Sequence, residues 1–275
     1  MILKLLKNEL KASYRMPLTI YSITLFLGIS VPILYGMNFR NLSGISIVLF
    51  IVFSIPFLVV TIITIAQRFG KNLFGDEGYL MFTLPVKTYE LVLAKLICGF
   101  FWFVCGTIVY VAAGMLMFML TGFSTGLSIV EMINPFVDVI TNFTGMTILQ
   151  SINLVVVLLV IVVVETVTVI QLLYFTSTVT NIGLINRFRG ISGVVLFFVV
   201  TSITSTIIRF YKDLAPISLR ITRTGLELTS SAQMELTNFP LVIVLSLNDV
   251  IVYTILFFPL FFLTTILIKK HLALK

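Results

Sequence analysis

Six apolar runs decide what this chain can fold into. They cover residues 17–37, 45–67, 91–120, 151–175, 191–208 and 250–268. A helix rises ~1.5 Å per residue, so about 20 residues cross the ~30 Å hydrocarbon core of a bilayer. In lipid a backbone must satisfy its own N–H and C=O groups, and a helix does so within one segment. The chain therefore reads as an all-α integral membrane protein with six transmembrane helices. The third run is longer than a bilayer needs, so it tilts or its inner end continues beyond lipid as helix.

Composition points the same way. Only 11% of the 275 residues are charged and 59% are hydrophobic, whereas a soluble domain carries roughly 25% charge. Membrane lipid must be the solvent for most of the surface. The net charge of +7 does not gather on a soluble module, so nucleic acid is not an expected partner. It gathers at span ends instead. Lys4, Lys7, Lys11, Arg15, Arg68, Lys71, Lys87, Lys95, Arg187, Arg189, Lys269, Lys270 and Lys275 fall on one side. Arg40, Arg209, Lys212, Arg220 and Arg223 fall on the other. The positive-inside rule then puts both termini in the cytoplasm.

Residues 1–15 form an element of their own. Ile2, Leu3, Leu5, Leu6 and Leu10 alternate with Lys4, Lys7, Glu9 and Lys11, the pattern of a basic amphipathic helix lying in the inner interface. The N-terminus lacks the short apolar core and small-residue cleavage site of a signal peptide. The loop 209–249 has a polar first half. Its second half, residues 239–247, is apolar but too short to span, and suits a re-entrant segment before the last span. No internal repeat and no second domain stand out.

Signatures of catalysis are missing. There is no G-x-x-x-x-G-K-[ST] phosphate loop and no H-E-x-x-H pair. His271 is the single histidine, so one copy cannot build a histidine-based metal site. Catalytic, cofactor-binding and metal-ligating residues are all read as none. Cys98 and Cys105, seven residues apart on a helix, are separated by ~10.5 Å of rise, too far for a disulfide.

Chemistry inside the membrane centres on Glu165 in the fourth run. A charged carboxylate in lipid is costly unless paired, hydrated or protonated. Thr168 and Leu172 share its face, and Thr166 and Gln171 lie on adjoining faces. Either Glu165 lines a pathway, or it is a protonated acid hydrogen-bonding a neighbouring helix. Thr201, Ser202, Thr204, Ser205 and Thr206 near the end of the fifth run either line a wet pathway or bond their own backbone. Glu165, Thr168, Gln171, Thr201 and Ser205 are the pathway candidates. Cys98, Cys105 and Ala112, with Gly99, Gly106 and Ala113 beside them, form a small-residue stripe that allows close helix approach. Pro32, Pro56 and Pro259 interrupt three spans and kink them.

The most distinctive stretch lies between the second and third runs. Residues 68–87 combine charge, three glycines, a proline and aromatics, more than a plain connection needs. Gly78-Tyr79-Leu80-Met81-Phe82-Thr83-Leu84-Pro85-Val86, followed by Leu93-Ala94-Lys95-Leu96, resembles the cytoplasmic loop of ABC type-2 exporter permeases. The wider plan is similar too: an interfacial N-terminal helix, six spans, cytoplasmic termini and a last external loop that dips back.

The resemblance implies a single permease domain over 1–275 with a coupling loop at 68–90, in a bacterial-type cytoplasmic membrane. It implies that a separate ATPase docks on Asp76, Glu77, Gly78, Tyr79, Leu80, Phe82, Thr83, Leu84 and Pro85. Two permeases, as a homodimer, and two ATPases would make the exporter, with ATP and Mg held by the ATPase and no cofactor on this chain. Small permeases of this size resemble exporters of antimicrobial or cytolytic amphipathic peptides, such as phenol-soluble modulins, and also drug and lipid-linked glycan exporters. Two other classes stay open. One is a proton-coupled carrier using Glu165, although carriers usually show inverted repeats. The other is a non-transporting immunity or sensor protein.

Overall fold

The computed structural model describes residues 2–37, 39–74, 86–138, 148–182, 189–214, 217–222, 225–230 and 243–273. The chain divides into two compact units, Met1–Ile133 and Asn134–Lys275. Among the described residues, six helices are long and apolar enough to cross a membrane, as the apolar runs predict.

The first unit holds α1 (Ile2–Ser13), α2 (Arg15–Gly36), α3 (Arg40–Phe74) and α4 (Thr88–Ser124), and the division between the units falls within the short α5 (Ile129–Asp138). Its core lies where α2 meets α3 and α4. Tyr21 and Phe57 are buried there, with Trp102 and Tyr110 packed against them. Tyr21 donates its hydroxyl to the Trp102 carbonyl, so α2 is tied to α4 by a bond as well as by packing.

The small-residue stripe of α4 has its partner within the same copy. A Cβ on Gly28 of α2 would come 2.8 Å from the Ala113 carbonyl oxygen, and one on Gly106 would come 3.1 Å from the Tyr21 hydroxyl. At Gly28 the close neighbour is backbone, which leaves room for hydrogen only, while at Gly106 the neighbours are the Tyr21 and Phe57 rings. The prolines do not interrupt their helices: α2 runs through Pro32 and α3 through Pro56.

Two helix boundaries differ from the apolar runs, and one difference bears on function. The segment Arg68–Phe74, expected as loop, is the last part of α3. The reason is a stripe at four-residue spacing: Ile65, Phe69 and Leu73 are all buried, which continues the core-facing side of the helix. Phe69 is therefore a packed residue, 1% exposed, and not an exposed aromatic of the loop. At the other side of the connection, α4 runs 37 residues from Thr88, or ~55 Å. It exceeds the hydrocarbon core, as the length of the third run requires.

The second unit holds α6 (Ile148–Ile182), α7 (Arg189–Leu214), three strands and α8 (Asn248–Ala273). The main packing is α6 against α8, and α8 runs through Pro259. The strands β1 (Ile217–Thr222), β2 (Gly225–Ser230) and β3 (Ile243–Ser246) form an antiparallel sheet in the order β2-β1-β3. This small sheet is the exception to the all-helical expectation. Its pattern is in the sequence: Ile217, Leu219 and Ile221 alternate with Ser218, Arg220 and Thr222, a period of two. Of the segment 239–247, expected as re-entrant, Ile243–Ser246 is a strand paired along one edge with β1, and residues 239–242 lie outside the described residues.

Candidate functional site

The expected ATPase-docking residues Asp76, Glu77, Gly78, Tyr79, Leu80, Phe82, Thr83, Leu84 and Pro85 lie outside the described residues. What is described is the frame that holds them. The connection leaves the end of α3 at Phe74 and enters α4 at Thr88. Both ends are fixed by packing, the first by Phe69 and Leu73 and the second by Leu91, Val92 and Ala94, each at most 4% exposed.

The base of α4 carries a polar cluster that charge counting does not reveal. The inward stripe of α1 is Ile2, Leu5, Leu6, Glu9, Leu10 and Ser13, all buried or half-buried, and the helix packs on α4. Glu9 takes a place that helical spacing reserves for an apolar side chain. Its Oε1 accepts from Lys95 Nζ at 2.6 Å, with the Lys95 and Glu9 side chains only 4% and 9% exposed. One turn along, Ser13 Oγ donates to the Glu9 carbonyl at 2.7 Å and accepts from Trp102 Nε1 at 2.8 Å. Cys98 Sγ lies 3.6 Å from the same oxygen and is a free thiol. Glu9, Ser13, Lys95, Cys98 and Trp102 thus form one buried network between α1 and α4.

This network answers the desolvation problem of two buried charges by pairing them. Removing one partner of such a pair costs about 3–5 kcal/mol, while replacing both by apolar groups is often neutral. The network therefore specifies how α1 sits on α4 more than it adds stability. A carboxylate on an apolar stripe was the signal that could have found it: Glu9 needs a cation, and Lys95 is flanked by apolar residues.

The pathway candidates of the second unit fall into two groups. Thr168 and Gln171 are buried between α6 and α8. Thr168 Oγ1 donates to the Val164 carbonyl at 2.9 Å and approaches the Tyr253 carbonyl at 3.3 Å. Gln171 is fully buried, and its Nε2 donates to Thr264 Oγ1 at 3.1 Å and to the Leu260 carbonyl at 3.3 Å. Its Oε1 has no hydrogen-bond partner among the described residues.

Glu165 is only half-buried and has no hydrogen-bond partner among the described residues. Asp249 and Tyr253, in the first two turns of α8, lie within electrostatic range of it, while Glu165 itself is near the middle of α6.

Thr201 and Ser205 form the second group. Thr201 donates to the Phe197 carbonyl at 2.7 Å and Ser205 to the Thr201 carbonyl at 2.9 Å. Ser202, Thr204 and Thr206 do the same one turn back. These hydroxyls bond their own helix, and no hydrogen bond joins them to Glu165, Thr168 or Gln171 among the described residues.

Outside the spans, Ser128 and Glu131 close a capping box at the start of α5. Glu131 Oε2 accepts from the Ser128 N–H and hydroxyl, each at 2.8 Å. These bonds hold the Glu131 carboxyl below the ordinary carboxylate range. Among the described residues no group of acids, cysteines or histidines is arranged to hold a metal ion. Comparison with protein-family models, with curated proteins and with solved structures gives no match.

Proposed function

We propose that this chain is the membrane subunit of an ATP-driven exporter of the ABC type-2 kind. A separate ATPase docks on residues 76–85, and ATP with Mg binds to that partner. The cargo is amphipathic or hydrophobic, with an antimicrobial or cytolytic peptide first among the candidates. Two copies of the chain face one another through the first, second and fifth spans, and two ATPases complete the assembly.

One observation carries this assignment. The stretch Gly78–Val86 puts Tyr79, Leu80, Phe82 and Leu84 between glycines and Pro85, in the connection between the second and third spans. An apolar knuckle in a charged connection is suited to the cleft of a soluble partner. Two features support it. Among the described residues, six helices are long and apolar enough to span. The connection also enters α4 within a few residues of the Glu9–Lys95 pair, so a displacement of the knuckle acts on a braced helix and not on a slack loop.

Export is tested in cells that make a cytolytic amphipathic peptide. Expression of this chain with its ATPase should move the peptide to the medium and protect the cell. A hydrolysis-deficient ATPase should abolish both effects. Equal export with the active and the inactive ATPase would rule out an ATP-driven mechanism.

A further inference from the structure

We propose that the cavity at the junction of α1 and α2 binds the phosphate of an anionic phospholipid. This inference concerns the first unit alone and stands whether or not the chain is an exporter. The cavity has a volume of about 520 Å³ and is lined by Lys11, Tyr14, Arg15, Met16 and Arg68, with Ser13 beside them.

Three basic residues from three helices line it. Lys11 comes from the last turn of α1, Arg15 from the start of α2 and Arg68 from the last part of α3. Among the described residues none of the three has a carboxylate partner. The nearby acid Glu9 is already committed to Lys95. Like charges gathered without a counter-charge repel one another, so an anion in the cavity relieves a cost as well as gaining bonds. The planar guanidinium groups of Arg15 and Arg68 suit a tetrahedral phosphate, which they can hold through paired N–H bonds.

Depth selects a lipid as the source. Arg15 opens the first candidate span, Arg15–Gly36, and Arg68 lies at the end of the second, Asn41–Gly70. Both are therefore at a membrane boundary, where headgroup phosphates lie and where basic and aromatic side chains anchor. Tyr14 is 41% exposed beside the cations, and Met16 and Leu18 are 60% and 48% exposed on the following turn. That arrangement puts an apolar surface directly below a cationic one, matching an acyl chain below its phosphate. A site for free phosphate needs no such apolar surface.

The test uses the purified full chain in detergent, titrated with phosphatidylglycerol or phosphatidylcholine and read by native mass spectrometry. Phosphatidylglycerol should bind first and more tightly. Each cation removed should weaken it by about fivefold, so R15Q/R68Q should lose more than ~10-fold, and the weaker binding of zwitterionic phosphatidylcholine should fall by less. K11Q alone, at an exposed position, should lose about fivefold and serves as the milder variant. The control K269Q/K270Q removes two charges elsewhere and should leave the first lipid's affinity unaltered.

Equal weakening by R15Q/R68Q and K269Q/K270Q would overturn the proposal, because the attraction would then be diffuse. Equal affinity for the two lipids would overturn it as well. A millimolar inorganic phosphate arm separates the sources: no displacement of phosphatidylglycerol supports the lipid site, and full displacement shows a site for phosphate alone and overturns the lipid assignment.

Discussion

Lys95 of α4 donates to Glu9 of α1 at 2.6 Å, and both side chains are shut off from solvent. This contact joins the amphipathic N-terminal helix to the start of the third span, next to the connection on which the functional proposal rests. The two partners are 86 positions apart in sequence, so the bond forms only once α1 has folded back along α4.

The pair predicts an asymmetric mutational response. Glu9→Ala leaves the Lys95 ammonium buried without its carboxylate and should cost about 3–5 kcal/mol. Glu9→Met with Lys95→Met should cost much less, within about 1 kcal/mol of wild type or better. Unfolding of the purified chain in a denaturing detergent mixture measures both. Equal loss in the single and double variants would show that the bond contributes as an ion pair and not as a mutual neutralisation.

Glu165 predicts a separation of function from stability. It has no hydrogen-bond partner among the described residues, so Glu165→Leu leaves nothing unsatisfied and should change stability by less than ~1 kcal/mol. A cavity carboxylate would still be needed for transport, so Glu165→Gln should alter cargo-stimulated ATP hydrolysis while assembly is intact. A large stability loss in Glu165→Leu with normal transport in Glu165→Gln would assign the acid to structure.

Gly28 predicts a steric block. Its missing Cβ would lie 2.8 Å from backbone at Ala113, and backbone cannot swing aside as a side chain can. Gly28→Val should therefore separate α2 from α4 and cost about 1–3 kcal/mol. Gly44 meets nothing within 4 Å, so Gly44→Ala is the control and should be nearly neutral. Thermal denaturation of the two variants side by side gives the comparison.

Glu131 predicts a local pH response. Its carboxyl titrates below the ordinary range because Ser128 donates to its charged form. A depressed folded pKa contributes stability that is fully present above the ordinary carboxylate pKa of about 4.3. It is lost as pH falls through the lower folded value. The protection of α5 amides, corrected for the intrinsic exchange rate at each pH, should thus fall below pH ~4, and Ser128→Ala should raise the pH at which it does so. Unchanged exchange in Ser128→Ala would show that the capping box does not hold α5.

The spans were legible because lipid imposes one strong rule, an apolar run of sufficient length, and 91–120 or 151–175 satisfy it without reference to any other part of the chain. Helix ends were less legible. Arg68–Phe74 looks like loop by charge and glycine, and only the burial of Phe69 and Leu73 against the first unit makes it helix. The sheet was missed because a polar stretch was read by composition, while its period of two, Ile217-Leu219-Ile221, was masked by short length. The Glu9–Lys95 pair was half legible: Glu9 on an apolar stripe calls for a cation, but Lys95, 86 positions away, reads alone as part of a positive-inside flank. Glu165 was found from sequence, but which part of α8 lies beside it depends on how two helices lie in register.

The most direct test of the central claim is the composition of the complex drawn from native membranes. A tagged copy of this chain should bring down an ATP-hydrolysing subunit in roughly equal amount, as one-to-one docking requires, with ATP hydrolysis sensitive to vanadate. Replacing Tyr79, Phe82 and Leu84 together by Ala should release that subunit while the chain still inserts and remains folded. Wild-type complexes with no ATPase, or full retention and full transport in the triple variant, would contradict the account.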